Sequence, residues 1–249
     1  MPSPTNPDRV AWLEGPSGVC APQPGLAHPW RLVLLGAPGV GKGTQADLLS
    51  QRLGACHLST GDVLRAAGQS AREPSPAMAA ALDCIRRGLL VPDSTIWEMV
   101  RERSACIRCR GGFILDGFPR TRLQAELLNQ LMADEGILLD AVVNYEMPIA
   151  EIVERLSGRR ICRACKAVYH VTRQPSKTDG VCDTCGENLF QREDDCPEAV
   201  TVRMQTYERS TAPLIEFYRD FGLLLPVAAA GSPNEICART MEALQNRKS

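Results

Sequence analysis

Apolar residues along this chain gather in short unbroken runs, separated by longer stretches with a helical period. RLVLLG at 31–36 is the clearest run and ends in glycine, and AVVNYE at 141–146 and FILD at 113–116 are two more. LLLPVAA at 223–229 and a short piece at 56–58 complete the set. A strand that is apolar on both faces belongs inside a parallel sheet covered on both sides. Between these runs the pattern predicts helices over 44–53, 77–87, 94–103, 122–134, 149–156, 197–221 and 234–247. Strands alternating with helices imply an α/β fold with a parallel sheet.

Two stretches fall outside this alternation. Residues 1–30 are rich in Pro and Gly and show no period, which predicts a flexible N-terminal extension. Trp12 and Trp30 could dock on the body, but no pattern says where. Residues 162–196 carry paired cysteines, turn residues and little apolar continuity, so they read as an inserted minidomain.

Composition narrows the function classes. A formal net charge of -1 gives no bulk attraction to nucleic acid or to membranes. No apolar run approaches the length of a membrane span. The N-terminus has no apolar h-region, so no signal peptide is expected. A transit peptide is disfavoured as well, because Arg9 stands alone beside Asp8 and Glu14. Eleven cysteines without a secretory signal point to a reducing compartment, the cytoplasm, where thiols serve as ligands or buried groups. The basic residues are strongly biased: of 28, only Lys42, Lys166, Lys177 and Lys248 are lysines. Arginine offers a planar fork suited to phosphate, although base composition explains most of this bias.

The first motif with chemistry is Gly-Ala-Pro-Gly-Val-Gly-Lys-Gly-Thr at 36–44, between a strand and a helix. Glycines let backbone N–H groups turn inward around phosphate oxygens, and the helix N-terminus adds partial positive charge. Lys42 supplies a full charge to a transferring phosphoryl group. The generic pattern places Ser or Thr directly after the lysine, whereas here Gly43 intervenes and Thr44 follows.

The second motif is Cys162-x₂-Cys165, sixteen residues, then Cys182-x₂-Cys185. Two such knuckles brought together form the tetrahedral thiolate cage of structural zinc. Iron suits the same four sulfurs, so the metal stays open at this point. Two disulfides are disfavoured by the inferred compartment. A zinc ribbon for nucleic acid is a lesser reading. Cys106-x₂-Cys109 has no second pair and reads as coincidental. Cys20, Cys56, Cys84, Cys196 and Cys237 read as small buried or incidental residues.

With these residues in hand, the run LLGAPGVGKGTQADLL resembles the phosphate loop of the adenylate kinase family. STGDVLRAA at 59–67, GFILDGFPRT at 112–121, GLLVPD at 88–93, GRRIC at 158–162 and QREDD at 191–195 resemble that family's further signatures, in its order. The resemblance covers roughly 31–249. It implies a P-loop NTPase-type parallel five-stranded sheet flanked by helices, with an AMP-binding helical insert at 59–91 and a zinc-ribbon-like lid at 158–195. The core would then comprise 31–58, 92–157 and 196–249. The implied reaction is phosphoryl transfer from Mg·ATP to AMP, giving two ADP, in a cytoplasmic monomer with no nucleic-acid or membrane partner.

The resemblance also implies roles for particular residues. Gly39, Val40, Gly41, Lys42, Gly43 and Thr44 would hold ATP, with Arg155, Arg159 and the backbone of Val168 and Tyr169 on the lid side. Thr60, Arg65, Leu89, Leu90, Val91, Gly117, Arg120 and Gln124 would hold AMP, Gln124 reading the adenine edge. Arg192 and Arg203 would close over both nucleotides, and Lys42, Arg120, Arg159, Arg192 and Arg203 would carry catalysis. Asp116 would hold Mg²⁺ through water, and the four cysteines of the paired knuckles would hold a structural Zn²⁺. For Thr60 the bland alternative is a helix N-cap, and for the arginines it is surface ion pairing. Asp194 and Asp195 read as hinge carboxylates for the lid arginines, His57 as a core or strand-end residue, and His170 as structural.

The chemistry fits these residue types. The acceptor would be a phosphate oxygen, already anionic, so alignment and charge neutralisation do the work without a general base. Two rival functions remain. A non-catalytic nucleotide-binding or zinc-ribbon protein predicts losses in the phosphate loop or the arginine set, and neither is depleted. A kinase for another monophosphate is opposed by Thr60 and Gln124.

Overall fold

The computed structural model describes residues 28–69, 76–108, 111–165 and 167–248. The expectations placed on residues 1–27 and on Cys109 lie outside the described residues. In chain order the strands are β1 (Arg31–Gly36), β2 (Cys56–Ser59), β3 (Phe113–Asp116), β4 (Ala141–Glu146), β5 (Arg159–Cys162), β6 (Val168–His170), β7 (Leu189–Phe190) and β8 (Leu224–Ala228). The helices are α1 (Lys42–Leu53), α2 (Thr60–Gln69), α3 (Pro76–Arg86), α4 (Asp93–Glu102), α5 (Ser104–Ile107), α6 (Arg122–Asp134), α7 (Ile149–Ser157), α8 (Pro197–Thr206), α9 (Pro213–Asp220) and α10 (Pro233–Lys248).

β1, β2, β3, β4 and β8 form one parallel sheet in the order β2-β3-β1-β4-β8. β1 lies at its centre, and its alternate side chains feed two separate cores. Leu32 and Leu34 pack with Ala46, Leu49 and Leu53 of α1 and Ile236 and Leu244 of α10. Val33 and Leu35 pack on the other face with Val100, Phe118, Leu128 and Tyr218. This two-sided burial is why the strands read as continuous apolar runs. Each fully buried Leu or Val contributes about 1.5–3 kcal/mol of transfer free energy, enough to fix the register.

The register sets Leu34 and Ser59 level with Asp116, and Gly36 level with Tyr145. The carboxyl ends of neighbouring strands therefore share one edge, where open α/β sheets bind their ligands. The strand order reverses direction beside β1, which puts the loop after β1 at that edge.

The expected continuous helix over 197–221 is not what forms. α8 ends at Thr206, a single wide turn spans Tyr207–Thr211, and α9 starts at Pro213. Pro213 has no N–H to continue the ladder. The Ala212 N–H instead donates to Tyr207 O five residues back, at 2.8 Å. The extra residue turns Thr211 inward, where its hydroxyl donates to Arg120 O at 2.9 Å.

β6, β5 and β7 make a second, antiparallel sheet with β5 in the middle. Its buried cluster consists of Cys162, Tyr169 and Cys182, with Cys165, Ala167 and Leu189 against them. Such a small apolar set cannot hold a sheet by burial alone. No helix among the described residues is long and apolar enough to cross a membrane.

Candidate active site

β1 delivers the chain into the glycine loop, and the loop tolerates no side chain at its tightest points. Gly36 has φ +134°, and a Cβ there would lie 2.6 Å from Tyr145 O. Gly39 has φ +87°, and a Cβ there would lie 2.6 Å from Leu156 Cγ. Val40 is buried and pins the loop to the sheet. Gly41 precedes α1, whose first turn has neither a side-chain cap nor an acidic residue. Its N-terminal N–H groups and partial positive charge thus suit an anion. Lys42 Nζ donates to Gly36 O at 2.7 Å and Ala37 O at 3.0 Å. Thr44 is exposed two residues on. A Cβ on Gly43 would lie 3.4 Å from Asp116 Oδ2, so the β3 carboxylate faces the start of α1.

The charges of this cluster act on one another. Desolvation lowers Lys42 to about 8 against the pull of Asp116, and Arg120, Arg203 and Arg159 push it further down. Burial alone would raise Asp116, but His57, Lys42 and Arg120 hold it at about 2. Burial would lower His57, yet Asp116 and Asp47 raise it to about 9. His57 Nδ1 lies 2.8 Å from Asp47 Oδ1, and Nε2 lies 3.6 Å from Asp116 Oδ2, an ion-pair distance longer than a hydrogen bond. His57 is buried on β2, in keeping with its reading as a core or strand-end residue, and it also bridges α1 and the end of β3. Only the pairing of β2 with β3 brings it there.

Two aspartates organise three arginines. Fully buried Asp195 receives Arg159 Nε at 2.7 Å and Nη2 at 2.5 Å, and Arg203 Nη1 at 3.1 Å. Asp194 receives Arg192 Nε at 2.7 Å and Nη2 at 2.6 Å, and lies 3.1 Å from Arg203 Nη1. Burial would raise Asp194, but Arg192 and Arg203 hold it at about 2. Burial lowers Arg203 to about 10 despite Asp194, with Arg159 and Arg192 adding repulsion. Five cations (Lys42, Arg120, Arg159, Arg192 and Arg203) thus face three carboxylates (Asp116, Asp194 and Asp195), leaving an excess of positive charge.

On the other side, Thr60 Oγ1 donates to Gly117 O at 3.0 Å and Arg120 Nε to the same oxygen at 2.8 Å. Thr60 is not the cap of α2: Ser59 Oγ takes the Asp62 N–H, at 3.3 Å. Gln124 Oε1 accepts from Arg120 N at 2.8 Å, and Gln124 Nε2 donates to Asp93 Oδ1 at 2.7 Å. Val91 is buried, while Leu89 and Leu90 retain exposure. The Arg65 side chain lies outside the described residues. Arg155 Nη2 reaches Ala229 O at 3.5 Å, at the turn after β8. Gly231 (φ +100°) and the Ser232–Glu235 capping pair shape that turn. A groove of about 580 Å³ between α6 and α9, floored by Phe217 and Phe221, lies apart from these residues.

The four knuckle cysteines converge as expected. Their Sγ atoms all lie within 4.8 Å of one another, with 3.4 Å between Cys162 and Cys185 and 3.5 Å between Cys165 and Cys182. A tetrahedral zinc with 2.3 Å bonds needs sulfurs about 3.8 Å apart, so the set fits a closed S₄ site. Backbone N–H groups of Thr184 and Cys185 turn toward Cys182, and that of Ala167 toward Cys165, as thiolate ligands require. Buried Tyr169 places its hydroxyl 3.5 Å from Cys182 Sγ and accepts from Asp183 N at 2.9 Å. Val168 beside it is exposed.

Excess positive charge, a phosphate loop and a carboxylate at the adjacent strand end suit the alignment of phosphorylated ligands, which puts the chain in the class of P-loop phosphoryl-transfer enzymes. The family model for adenylate kinase matches residues 34–223. The chain is 48% identical over 215 residues to the adenylate kinase of Caldicellulosiruptor saccharolyticus, covering 86% of this chain and 97% of that one. It is 46% identical over 215 residues to that of Carboxydothermus hydrogenoformans, covering 86% and 99%. It is 45% identical over 216 residues to that of Streptomyces griseus, covering 86% and 97%. The chain belongs to the adenylate kinase family.

Proposed function

We infer that this enzyme transfers a phosphoryl group from Mg·ATP to AMP and releases two ADP. The observation that carries the reading is the grouping of Arg120, Arg159 and Arg203 around Lys42, near enough for all three guanidiniums to act on the lysine's charge. Such a group neutralises two polyphosphates held end to end. Gly39, Val40, Gly41, Lys42, Gly43 and Thr44 hold the ATP phosphates, and Arg155 with the backbone of Val168 and Tyr169 flanks the nucleoside. Thr60, Arg65, Leu89, Leu90, Val91, Gly117, Arg120 and Gln124 hold AMP. Arg159, Arg192 and Arg203 swing between Asp194 and Asp195 and the nucleotide phosphates, so the aspartates keep them in place before substrate arrives. Asp116 would hold Mg²⁺ through water, and the ion would supply charge neutralisation on the ATP phosphates. Residues 59–91 act as the AMP insert and 158–195 as a lid, stapled by zinc on its four cysteines. Closing the lid excludes water, which would otherwise compete as acceptor.

A coupled assay with ATP and a panel of monophosphates tests the reading. AMP should be used roughly 10²-fold or more better than GMP, CMP or UMP, because a base that mismatches the pocket leaves buried polar groups unpaired. Lys42→Met should lower turnover by roughly 10²-fold or more in a folded protein, as loss of a preorganised charge does. Equal use of UMP would remove the adenine reading, and near wild-type turnover in Lys42→Met would remove Lys42 from the chemistry.

A further inference from the structure

We propose that Asp93 is a positioning residue that decides which purine the monophosphate pocket accepts, by fixing the direction of the Gln124 amide. The proposal rests on the reading of Gln124 as the side chain that meets the base.

Gln124 is 1% exposed, and both ends of its amide are already engaged. Nε2 donates to Asp93 Oδ1 at 2.7 Å, and Oε1 accepts from the Arg120 backbone N–H at 2.8 Å. A carboxylate can only accept and a backbone N–H can only donate, so chemistry dictates which end of the amide is which. Turning the amide over would set oxygen against carboxylate and N–H against N–H. Asp93 is itself fixed. Its Oδ2 accepts from Thr121 Oγ1 at 3.0 Å, and that same oxygen caps α6 by accepting the Gln124 N–H at 3.2 Å. Asp93, Thr121 and Gln124 thus close a ring between the first residue of α4 and the first turn of α6.

After these bonds the amide keeps one N–H and one acceptor site on Oε1, side by side. Adenine offers a complementary edge, an N6–H donor beside the N1 acceptor. A 6-oxopurine offers the reverse, an O6 acceptor beside an N1–H donor. An amide free to turn over would suit both edges, whereas one held by Asp93 at its nitrogen and by the Arg120 N–H at its oxygen suits adenine, and of the two only the Asp93 hold is made by a side chain. Discrimination of this kind does not come from pocket size, because AMP and IMP differ at this edge alone. It comes from a carboxylate on a different helix, hydrogen-bonded to the base-reading residue at 2.7 Å.

The test compares kcat/KM for AMP and IMP, with saturating Mg·ATP, in the full-length enzyme and in Asp93→Asn, which keeps the shape but is no longer acceptor-only. The AMP:IMP ratio should narrow by about 10-fold or more, with the IMP value rising in absolute terms, since a hydrogen-bonding mismatch is what the lock enforces. Asp93→Ala should narrow the ratio by the same route and serves if the Asn variant does not fold. In a Gln124→Ala background, adding Asp93→Asn should leave the ratio unchanged, as a double-mutant cycle demands of a residue acting through its neighbour. A purely structural tie between α4 and α6 would lower both substrates in proportion, and an unchanged ratio in Asp93→Asn and Asp93→Ala would overturn the proposal. If Gln124→Ala collapses the ratio while both Asp93 variants keep it, the proposal alone fails. If Gln124→Ala also keeps it, or the wild-type ratio is near one, the reading of Gln124 fails with it.

Discussion

Asp194 is 7% exposed and carries its charge between two guanidiniums, which makes it a measurable contributor to acid stability. Its folded pKa is held at about 2, against 3.8 ordinarily. A depressed carboxylate stabilises the fold above its ordinary value, and that contribution is lost as pH falls from about 4 toward 2. The shift corresponds to something on the order of 2 kcal/mol at neutral pH. Asp194→Asn should therefore lower the melting temperature at pH 7 and flatten its decline between pH 4 and 2. Asp116 titrates in the same window, so the decline should flatten only in part, and a variant whose melting temperature falls as steeply as the wild type's would show that Asp194 does not contribute to it. At this scale the sequence exposed residue types but not their partners. Arg159 and Arg192 stand inside recognisable motifs and Asp93 ends the GLLVPD run, but the partners of His57 and Asp93 are not visible until β2 pairs with β3 and α4 meets α6.

Between elements, the turn after α3 presses directly on the helix that carries Arg203. Gly88 has φ +73°, and a Cβ there would lie 2.7 Å from Ala199 O and 2.9 Å from Arg203 Cγ. A backbone carbonyl cannot step aside as a flexible side chain can, so α8 must shift and carry Arg203 off Asp194 and Asp195. Gly88→Ala should thus cost kcat/KM about 10-fold, less than outright loss of an aligned charge because Arg203 is displaced and not removed, and also lower the melting temperature. Gly136 is the matched control, with φ +65° and nothing within 4 Å of a Cβ. Gly136→Ala should carry only the conformational penalty, about 1–2 kcal/mol, and leave kcat/KM intact. Equal kinetic effects from the two would remove the steric link. Elements themselves were largely readable, since β1, β3 and β4 fall on the apolar runs at 31–36, 113–116 and 141–146. Pro213 marks the break inside 197–221, but the apolar period continues through it and hides it in the sequence.

Across the whole molecule, the sheet of β5, β6 and β7 differs from the rest in what holds it together. The parallel sheet is covered by two apolar cores, while the small sheet buries chiefly cysteines and one tyrosine. The spacing of the four cysteines made this site legible from the chain alone, whereas the hydroxyl of Tyr169 beside Cys182 needed the fold. Four thiolates complete a tetrahedral shell and leave no open position, so zinc held there cannot act as a Lewis acid. Its binding free energy goes into ordering the segment. Elemental analysis should find about one zinc per chain, and chelation should lower the melting temperature while Mg²⁺ remains the ion required for turnover. Replacing both Cys162 and Cys182 by serine should abolish the zinc and lower the melting temperature, yet leave measurable activity at low temperature. A visible absorption band with iron in place of zinc would reassign the metal. Undiminished zinc in the double variant would refute the ligand assignment, and a folded but inactive double variant would give the metal a part in the reaction itself.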